Sequence, residues 1–555
     1  MKVTLKLGAA HLLFIASLSI SLLAACSNQG GKSKSLNGIY FRVLQSEPGD
    51  INPLRSNDLV KTQMIMQSPY YGSGVIETLM SVDLDTNKLI PGLATNYEIS
   101  EDQTEFVFNL RKDVKFHDGS SFTAEDVKFS FDAIFEDKYE AFVRRSFYGN
   151  IEKVEILDPY KIKFTVAKPY FDNLNIMATL HILPKSIYSK QSDENRLSKV
   201  AYGSGPYKFD KWDQGKALTL VKNPDWWGRK DPELSKRFLH DRIIFKFVKD
   251  SILRKSMLER GTVDFDDRIR AEHYEKKMDG GPWGKTVFKV AAENKVPKPL
   301  YYIGLNNSHP IFKDKVVRRA LSYLINRDFL NEKFYYNMND LATGPFRVAG
   351  DYANPDVKPI PFDVTKAKKM LASSGWTDSN KDGLLDKMID GRRTDLSFNL
   401  ISSNKDTEKM LTVIKEDMKK SGVEMIINSV DWNALVKAKN EKKFDAIIMA
   451  WGGGNPDPDP TQIWHSKSSE GIGSNYISYK NTKVDELIDK GIKIMDKKER
   501  VKVLRKIHKL IADDAPYIFM FEPKYLLYAV SSRVKRPKDT YNYSLGPQYW
   551  SLEAN

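Results

Sequence analysis

Helical and strand-like segments alternate between residues 395 and 451, and this order limits the fold more than any other feature of the sequence. The helical pattern KMLTVIKEDMKKSG is followed by the strand-like VEMIINSV and then by FDAIIMAW, which ends at Trp451. Such alternation predicts a βαβ unit, and therefore an α/β fold. FDAIIMAW leads into Gly452, Gly453 and Gly454. Because ligands of α/β proteins usually bind beyond the carboxyl ends of strands, we expect a binding crevice at this loop.

Hairpin and helix patterns occur along the rest of the chain. IYFRVL, from Ile39 to Leu44, predicts a buried strand, and TEFVFNL places Phe106, Phe108 and Leu110 on one face of another. Thr123 and Asp126 have the spacing of a capping box, which predicts a helix beginning there.

Two further helices follow in the second half of the chain. VVRRALSYLINRDFL, from Val316 to Leu330, predicts one amphipathic helix. DVTKAKKMLASSG predicts another, with Asp363 as its N-cap and Gly375 at its carboxyl end.

Size and charge describe a large soluble protein. The chain has 555 residues, of which 41% are hydrophobic and 28% charged, enough for two to four domains with packed cores. The net charge is +14, and loss of residues 1–25 would remove Lys2 and Lys6 and no acid, leaving +12. The lysines are dispersed and no basic-aromatic motif is present, so a solvated basic surface is favoured over nucleic-acid binding.

The N-terminus has the form of a secretory signal. Residues 1–25 combine a basic start with an apolar stretch, which predicts a signal peptide. Leu23-Ala24-Ala25-Cys26 resembles a bacterial lipobox, so Cys26 is expected to carry lipid at the start of a flexible tether, residues 26–36. Cys26 is the only cysteine, so the mature chain has no thiol for disulfides or metal sites.

Metal and cofactor sites are not predicted. No two of the eight histidines have the spacing of metal ligands. Asp378 to Asp386 resembles a calcium loop, but Ile389 stands where a bidentate Glu is needed, so a solvated turn is favoured.

Catalytic residues are not predicted either. Ser73 and Ser204 lie directly between glycines and form no nucleophile elbow. A glycosidase-like pair of carboxylates stays as an enzymatic alternative, although no pair is singled out.

Several motifs together resemble one family. LATNYEISEDQTEFVFNLRKDVKFHDGSSFTAEDVKFSFD, GSGPYKF, KNPDWWG, RGTVDF, IFKDKVVRRALSYLINRD, FDVTKAKKMLASSGW and FDAIIMAWGGGNPDPDP occur in the order typical of bacterial extracellular solute-binding proteins, family 5, of the oligopeptide/dipeptide type. The resemblance covers nearly the whole mature chain. It implies a two-lobed periplasmic-binding-protein fold of class II, the large peptide-binding type, with a subdomain inserted in the first lobe. The implied boundaries are lobe one at 37–82, 203–298 and 518–555, the inserted subdomain at 83–202, and lobe two at 299–517.

The resemblance also implies a function. The protein would be the substrate-binding lipoprotein of an ABC importer, and no enzyme. As a monomer it would capture peptides between its lobes and deliver them to permease and ATPase subunits. It would be extracytoplasmic and held to the cell envelope, in the periplasm or at the cell surface, by its N-terminal lipid. The alternatives are the same fold with a non-peptide solute, such as an oligosaccharide, an opine-like compound or a metal chelate, and a surface lipoprotein that acts as an adhesin.

The glycine loop departs from the pattern of the family's peptide binders. In those proteins an aspartate three residues after the loop tryptophan pairs with the peptide ammonium, and oligopeptide binders carry an arginine three residues before it. Here these positions are Gly454 and Ile448. The ammonium partner is therefore either one of Asn455, Asp457 and Asp459, or absent.

The remaining candidates are aromatic or polar residues in predicted loops. Trp451 and Trp464 either stack on ligand or belong to the core beside the cleft. Gln45 and Glu47, after the first strand, and Tyr70 and Tyr71, in a loop, are candidates for the cleft wall. The complete set of predicted ligand-binding residues is Gln45, Glu47, Tyr70, Tyr71, Trp451, Gly452, Gly453, Gly454, Asn455, Asp457 and Trp464.

Overall fold

A computed structural model describes residues 38–55, 59–67, 74–192, 195–470 and 473–553. The predicted signal peptide, Cys26 and the tether lie outside these residues, as do Tyr70 and Tyr71. The strands are β1 Ile39–Leu44, β2 Met80–Val82, β3 Leu89–Pro91, β4 Ala94–Ile99, β5 Glu105–Leu110, β6 Ile151–Asp158, β7 Lys161–Val166, β8 Tyr207–Asp213, β9 Ala217–Lys222, β10 Arg242–Phe247, β11 Phe265–Asp266, β12 Val287–Glu293, β13 Leu300–Leu305, β14 Asn339–Leu341, β15 Asp386–Ile389, β16 Arg392–Asp395, β17 Ser397–Ser402, β18 Glu424–Ser429, β19 Ala446–Trp451, β20 Tyr517–Pro523, β21 Tyr525–Ser531, β22 Val534–Lys535 and β23 Ser551–Leu552.

The helices alternate with these strands through most of the chain. They are α1 Leu59–Ile65, α2 Ala124–Phe135, α3 Phe142–Tyr148, α4 Asn173–Ala178, α5 Lys185–Tyr188, α6 Ser251–Glu259, α7 Ala271–Lys276, α8 Lys315–Tyr323, α9 Arg327–Tyr335, α10 Val364–Ser373, α11 Glu408–Lys419, α12 Trp432–Glu441, α13 Thr461–Trp464, α14 Thr482–Gly491 and α15 Lys497–Asp514. Within the described ranges, none of them is long and apolar enough to cross a membrane.

Lobe one is built on a mixed sheet that, in the described residues, has seven strands in the order β12-β21-β11-β1-β10-β9-β8. Its centre is parallel, because β1 pairs in parallel with both β10 and β11. The strand predicted from IYFRVL is β1, with Tyr40, Val43 and Leu44 buried.

The inserted subdomain has its own antiparallel sheet, in the order β4-β5-β7-β6. The predicted alternation in β5 is confirmed, since Phe106, Phe108 and Leu110 are all buried. Helix α2 packs against β6 and β7. Its start is also confirmed: Asp126 accepts hydrogen bonds from the backbone N–H and the hydroxyl of Thr123.

Lobe two is built on a second mixed sheet, in the order β14-β20-β13-β19-β17-β18. Strand β17 pairs in parallel with β18 and with β19, as the alternation of helix and strand predicted. Helix α10 has the predicted N-cap, since the Asp363 carboxylate accepts from the N–H of Lys366 at 2.8 Å. Gly375, at its carboxyl end, has a φ of +85°.

Two expectations are wrong. The stretch 316–330 forms not one helix but parts of α8 and α9, because the Asn326 side chain accepts from the N–H of Phe329 and starts a second helix. The return to lobe one does not occur at residue 518. Strand β20 pairs with β13 and β14 of lobe two, so lobe two continues to Pro523 and the chain crosses at Lys524.

Candidate functional site

The carboxyl ends of the parallel strands in the two lobes define the candidate site. In lobe one β1 and β11 end at Leu44 and Asp266, and in lobe two β17 and β19 end at Ser402 and Trp451. Side chains of the segments that follow β11 and β17 meet directly, because Arg270 and Asp406 form an ion pair at 3.0 Å. The two edges therefore face each other, and the space between them is the crevice in which ligands of α/β proteins usually bind.

Two short connections join the lobes behind this crevice. Residues 294–299 link β12 to β13, and Lys524 links β20 to β21. Lys298 is buried in the first connection and donates to the carbonyl of Asn294 at 2.8 Å. Glu522 is buried beside the second and accepts from the N–H of Val348. Burial lowers the pKa of Lys298 to about 8 and raises the pKa of Glu522 to about 7.

The three glycines have three different environments. A Cβ on Gly453 would lie 1.8 Å from the carbonyl oxygen of Pro297, so the loop packs tightly against the first connection between the lobes. Gly454 has a φ of +68°, in the left-handed region that glycine adopts without strain. Gly452 has neither constraint, and no atom lies within 4 Å of its Cβ position. Its exposed backbone is free for contact with a ligand.

The two predicted tryptophans belong to one aromatic cluster in lobe two. Trp464 is only 2% exposed and packs on Tyr517, with ring centroids 4.9 Å apart. Of the two alternatives for Trp464, ligand stacking and core packing, the structure therefore favours core packing, because neither face of the ring is available for a ligand. Trp451 is half-buried, donates to the Tyr517 hydroxyl at 3.2 Å and stacks near Tyr302. Only part of the Trp451 ring is accessible from the crevice side.

The two predicted residues after β1 differ in availability. Gln45 is exposed at the lobe-one edge. The carboxylate of Glu47 accepts from the indole N–H of Trp212 at 2.7 Å and from the N–H of Gly215 at 2.8 Å. Glu47 therefore fixes the loop to lobe one through Oε1, which accepts both bonds, so a ligand that bound this oxygen would compete with them.

The acidic residues after the glycines bond to protein groups. Asp457 accepts from the hydroxyl of Tyr352 at 2.6 Å and pairs with Lys497 at 3.2 Å. Asp459 accepts from the hydroxyl of Tyr170 at 3.0 Å and from the N–H of Thr461. Asn455 is exposed and accepts from the N–H of Asp457. Neither carboxylate is an open replacement for the aspartate missing at Gly454.

Sequence reasoning missed two arginines at the lobe-one edge of the crevice. Arg268 and Arg270 follow β11, and their side chains are 48% and 51% exposed. Tyr301, on β13, is exposed as well. The sequence carries a signal, since both arginines follow shortly after the strand-like TVDF, behind Asp266 and Asp267. That this segment lies beside β1 became clear only from the sheet order.

The calcium-like loop bonds to itself and to an arginine. Asp378 accepts from the N–H groups of Asp382 and Gly383, and Arg393 pairs with both Asp382 and Asp386. In the described part of the chain, no group of three or more His, Cys, Asp and Glu side chains is arranged to hold a metal ion.

Comparison with known proteins agrees with this architecture. Residues 88–473 match the model of the bacterial extracellular solute-binding proteins, family 5. The chain belongs to this family. Members of the family bind solutes outside the cytoplasm, and the two-lobed α/β fold is the fold of the solved structures that this family 5 chain resembles.

Three relatives illustrate the range of named ligands. The oligopeptide-binding protein AppA of Bacillus subtilis is 32% identical over 426 residues, 75% of this chain and 74% of AppA. Its structure in complex with a nonapeptide has a TM-score of 0.75 at 28% identity and covers 93% of this chain and 99% of its own. The heme-binding protein A of Haemophilus influenzae is 25% identical over 547 residues, 93% of each chain.

Proposed function

We propose that this family 5 protein is the substrate-binding lipoprotein of an ABC importer, anchored through Cys26, and that it captures peptides between its lobes for a permease. The observation that carries the peptide assignment is the 32% identity to an oligopeptide-binding protein over three quarters of the chain. The crevice between the strand ends supports this assignment, and the exposed backbone at Gly452 suits an extended peptide, whose own amides need partners.

The proposed mechanism is reversible binding without bond formation. Only the connections at 294–299 and 524 join the described strands of the two sheets, so the lobes can rotate about them. A ligand that contacts both edges binds the closed form more tightly and shifts the population toward it. Handover to the permease would follow when the lobes separate.

The charges at the crevice favour a particular orientation of the peptide. Gly454 and Ile448 supply no charge, and Ile448 lies within the sheet opposite Ile303. Arg268 and Arg270 lie on the lobe-one edge, where Arg268 is 4.0 Å from Asp267 and Arg270 pairs with Asp406 at 3.0 Å. Because both side chains are about half exposed, their guanidinium groups keep N–H donors for a peptide carboxylate, whereas positions 448 and 454 supply no partner for the ammonium.

A non-peptide solute is the second candidate. The absence of both charged peptide anchors at positions 448 and 454 favours it, as does the relative named for heme binding. No enzymatic reaction is part of either candidate.

Native mass spectrometry of the protein, purified without denaturation, tests the assignment. A ladder of bound masses that fragment as peptides is expected. Arg268→Ala should reduce the bound fraction, whereas Arg260→Ala, a basic residue at the end of α6, should not. A single bound mass that does not fragment as a peptide would replace the peptide assignment with the non-peptide one. Absence of any small ligand, together with failure to bind a peptide mixture, would contradict both and favour the adhesin.

A further inference from the structure

A second set of contacts joins the lobes away from the connections. The Tyr170 hydroxyl of the inserted subdomain donates to Asp459 of lobe two at 3.0 Å, and the N–H of Phe171 donates to the carbonyl of Ile492 at 3.1 Å. The Arg500 guanidinium lies 4.2 Å from the centroid of the Phe171 ring. Tyr170, Phe171 and Asp172, with Asp457, Asp459, Ile492 and Arg500, are called the clasp below. Its contacts link the two lobes, so they exist only while the lobes are closed.

The clasp brings more carboxylates than cations together. Asp457 and Asp459 both act on the charge of Asp172, and the Arg500 guanidinium, 3.7 Å from Asp457, opposes their effect. The Lys497 ammonium forms ion pairs with two carboxylates, those of Asp457 at 3.2 Å and of Asp351 at 3.1 Å, so it compensates neither one alone. The hydroxyls of Tyr170 and Tyr352 are neutral donors. Once Asp351 is counted, four carboxylates share the two cations Arg500 and Lys497, so negative charge is in excess.

Asp172 is the carboxylate least compensated in this group. One of its oxygens accepts from the side-chain amide of Asn175 at 2.9 Å, and it has no ion pair within the described residues. Burial, and then the nearby Asp457 and Asp459, raise the pKa of Asp172 from 3.8 to about 6, although Arg500 opposes the change.

We propose that Asp172 makes lobe closure depend on pH: protonated Asp172 is compatible with the closed clasp, and ionised Asp172 opposes it. The inference rests on the lobe closure of the proposed function, but not on the identity of the ligand.

The direction follows from linkage. In the open form lobe two is withdrawn, so Asp172 loses Asp457, Asp459 and part of its burial, and its pKa returns toward 3.8. The closed form then binds the proton more tightly than the open form. Closure is strongest below the open-form pKa of Asp172, near 3.8. It weakens as the pH rises from there through the closed-form pKa of about 6, and it stays constant at higher pH. The closure equilibrium constant should fall by roughly ten- to a hundredfold over this range.

The test measures closure without ligand. Glu152 of the subdomain and Lys490 of α14 are exposed, and Cys26 is the only native cysteine. Full-length Cys26→Ser protein with Glu152→Cys and Lys490→Cys, labelled with a dye pair, reports the closed fraction by energy transfer at pH 4.5 and at pH 7.5. The closed fraction should fall on raising the pH. In Asp172→Asn it should stay at the low-pH value throughout.

Three control variants identify the source of the pH dependence. Asp132→Asn, on an exposed carboxylate of the same subdomain, should keep the full pH step. Glu522→Gln, which removes another carboxylate whose pKa is raised, to about 7, should keep it too. Tyr170→Phe should lower the closed fraction at both pH values and retain the step, because it removes only a hydrogen bond.

Either of two results overturns the proposal: a closed fraction that does not change with pH, or a step of equal size in Asp172→Asn. Because no ligand is present, these results leave the peptide assignment untouched. Conversely, a non-peptide ligand in the mass-spectrometric test would not affect the role of Asp172.

Discussion

Gly453 and Gly454 show why a run of glycines is present at the crevice. The first makes room for the carbonyl of Pro297, and the second adopts a positive φ of 68°. Each requirement excludes ordinary side chains for a separate reason, one steric and one conformational. The loop is thus held to the connection between the lobes, which is the segment about which the proposed closure would occur.

Gly453→Ala should lower the free energy of unfolding by about 2 kcal/mol, because its methyl group would overlap backbone atoms that can move only with the connection. Denaturant unfolding monitored by circular dichroism measures the change. Gly452→Ala is the matched control and should alter stability by no more than about 0.5 kcal/mol, since its Cβ position is open. Equal losses in the two variants would contradict the steric explanation.

The roles of individual acidic residues could not be read from the sequence. Asp459 and its partner Tyr170 are 289 residues apart, and Asp457 and Tyr352 are 105 residues apart. No local pattern encodes such pairs, whereas glycine and proline in GGGNPDPDP indicated the loop itself. The sequence therefore predicted where the crevice lies better than which side chains are free to bind.

Local patterns succeeded at the scale of the element. Thr123 and Asp363 begin helices as predicted, because a side-chain acceptor two or three residues from an unpaired N–H acts within one turn. The break between α8 and α9 was missed because the apolar spacing continues through Leu324 and Ile325, which are both buried. The periodicity of apolar residues alone does not distinguish one continuous helix from two helices separated by a short break.

Helix α15 carries Lys497 and Arg500 of the clasp region in its first turn, and Asp496 caps that turn by accepting from the N–H of Glu499 at 2.9 Å. Asp496→Ala should lower the free energy of unfolding by about 1 kcal/mol. It should also reduce the closed fraction of the dye-labelled protein, because the first turn positions both cations. Asp496→Asn keeps an acceptor and should retain stability and closure. If Asn were as harmful as Ala, capping would not be the cause.

At the scale of the whole molecule, closure depends on contacts at both sides of the crevice. The clasp is one, and the pair between Arg270 and Asp406 is the other, with side chains 51% and 61% exposed. An exposed pair of this kind contributes about 0.2–1 kcal/mol. Because the pair joins the two lobes, this free energy favours the closed form.

Reversal of one charge in this pair should weaken closure. Arg270→Asp or Asp406→Arg alone should lower the closure equilibrium constant by roughly two- to fivefold, and the double variant should restore it. Energy transfer between the labels at fixed pH measures the effect, which added salt should diminish. Single effects that simply add in the double variant would show that the two side chains do not act as a pair.

The strand order of lobe one has a consequence for how the chain folds as it is made. Strand β21 lies between β12 and β11, yet it is synthesised after all of lobe two. Until residues 525–531 emerge, β12 has no neighbour in its sheet, and the edge of β11 stays open. Lobe two is one uninterrupted segment, and the six strands that the structure describes in its sheet all precede Lys524. The order of synthesis therefore lets the later lobe finish first, and a nascent or truncated chain that stops short of β21 keeps an incomplete sheet with exposed edges.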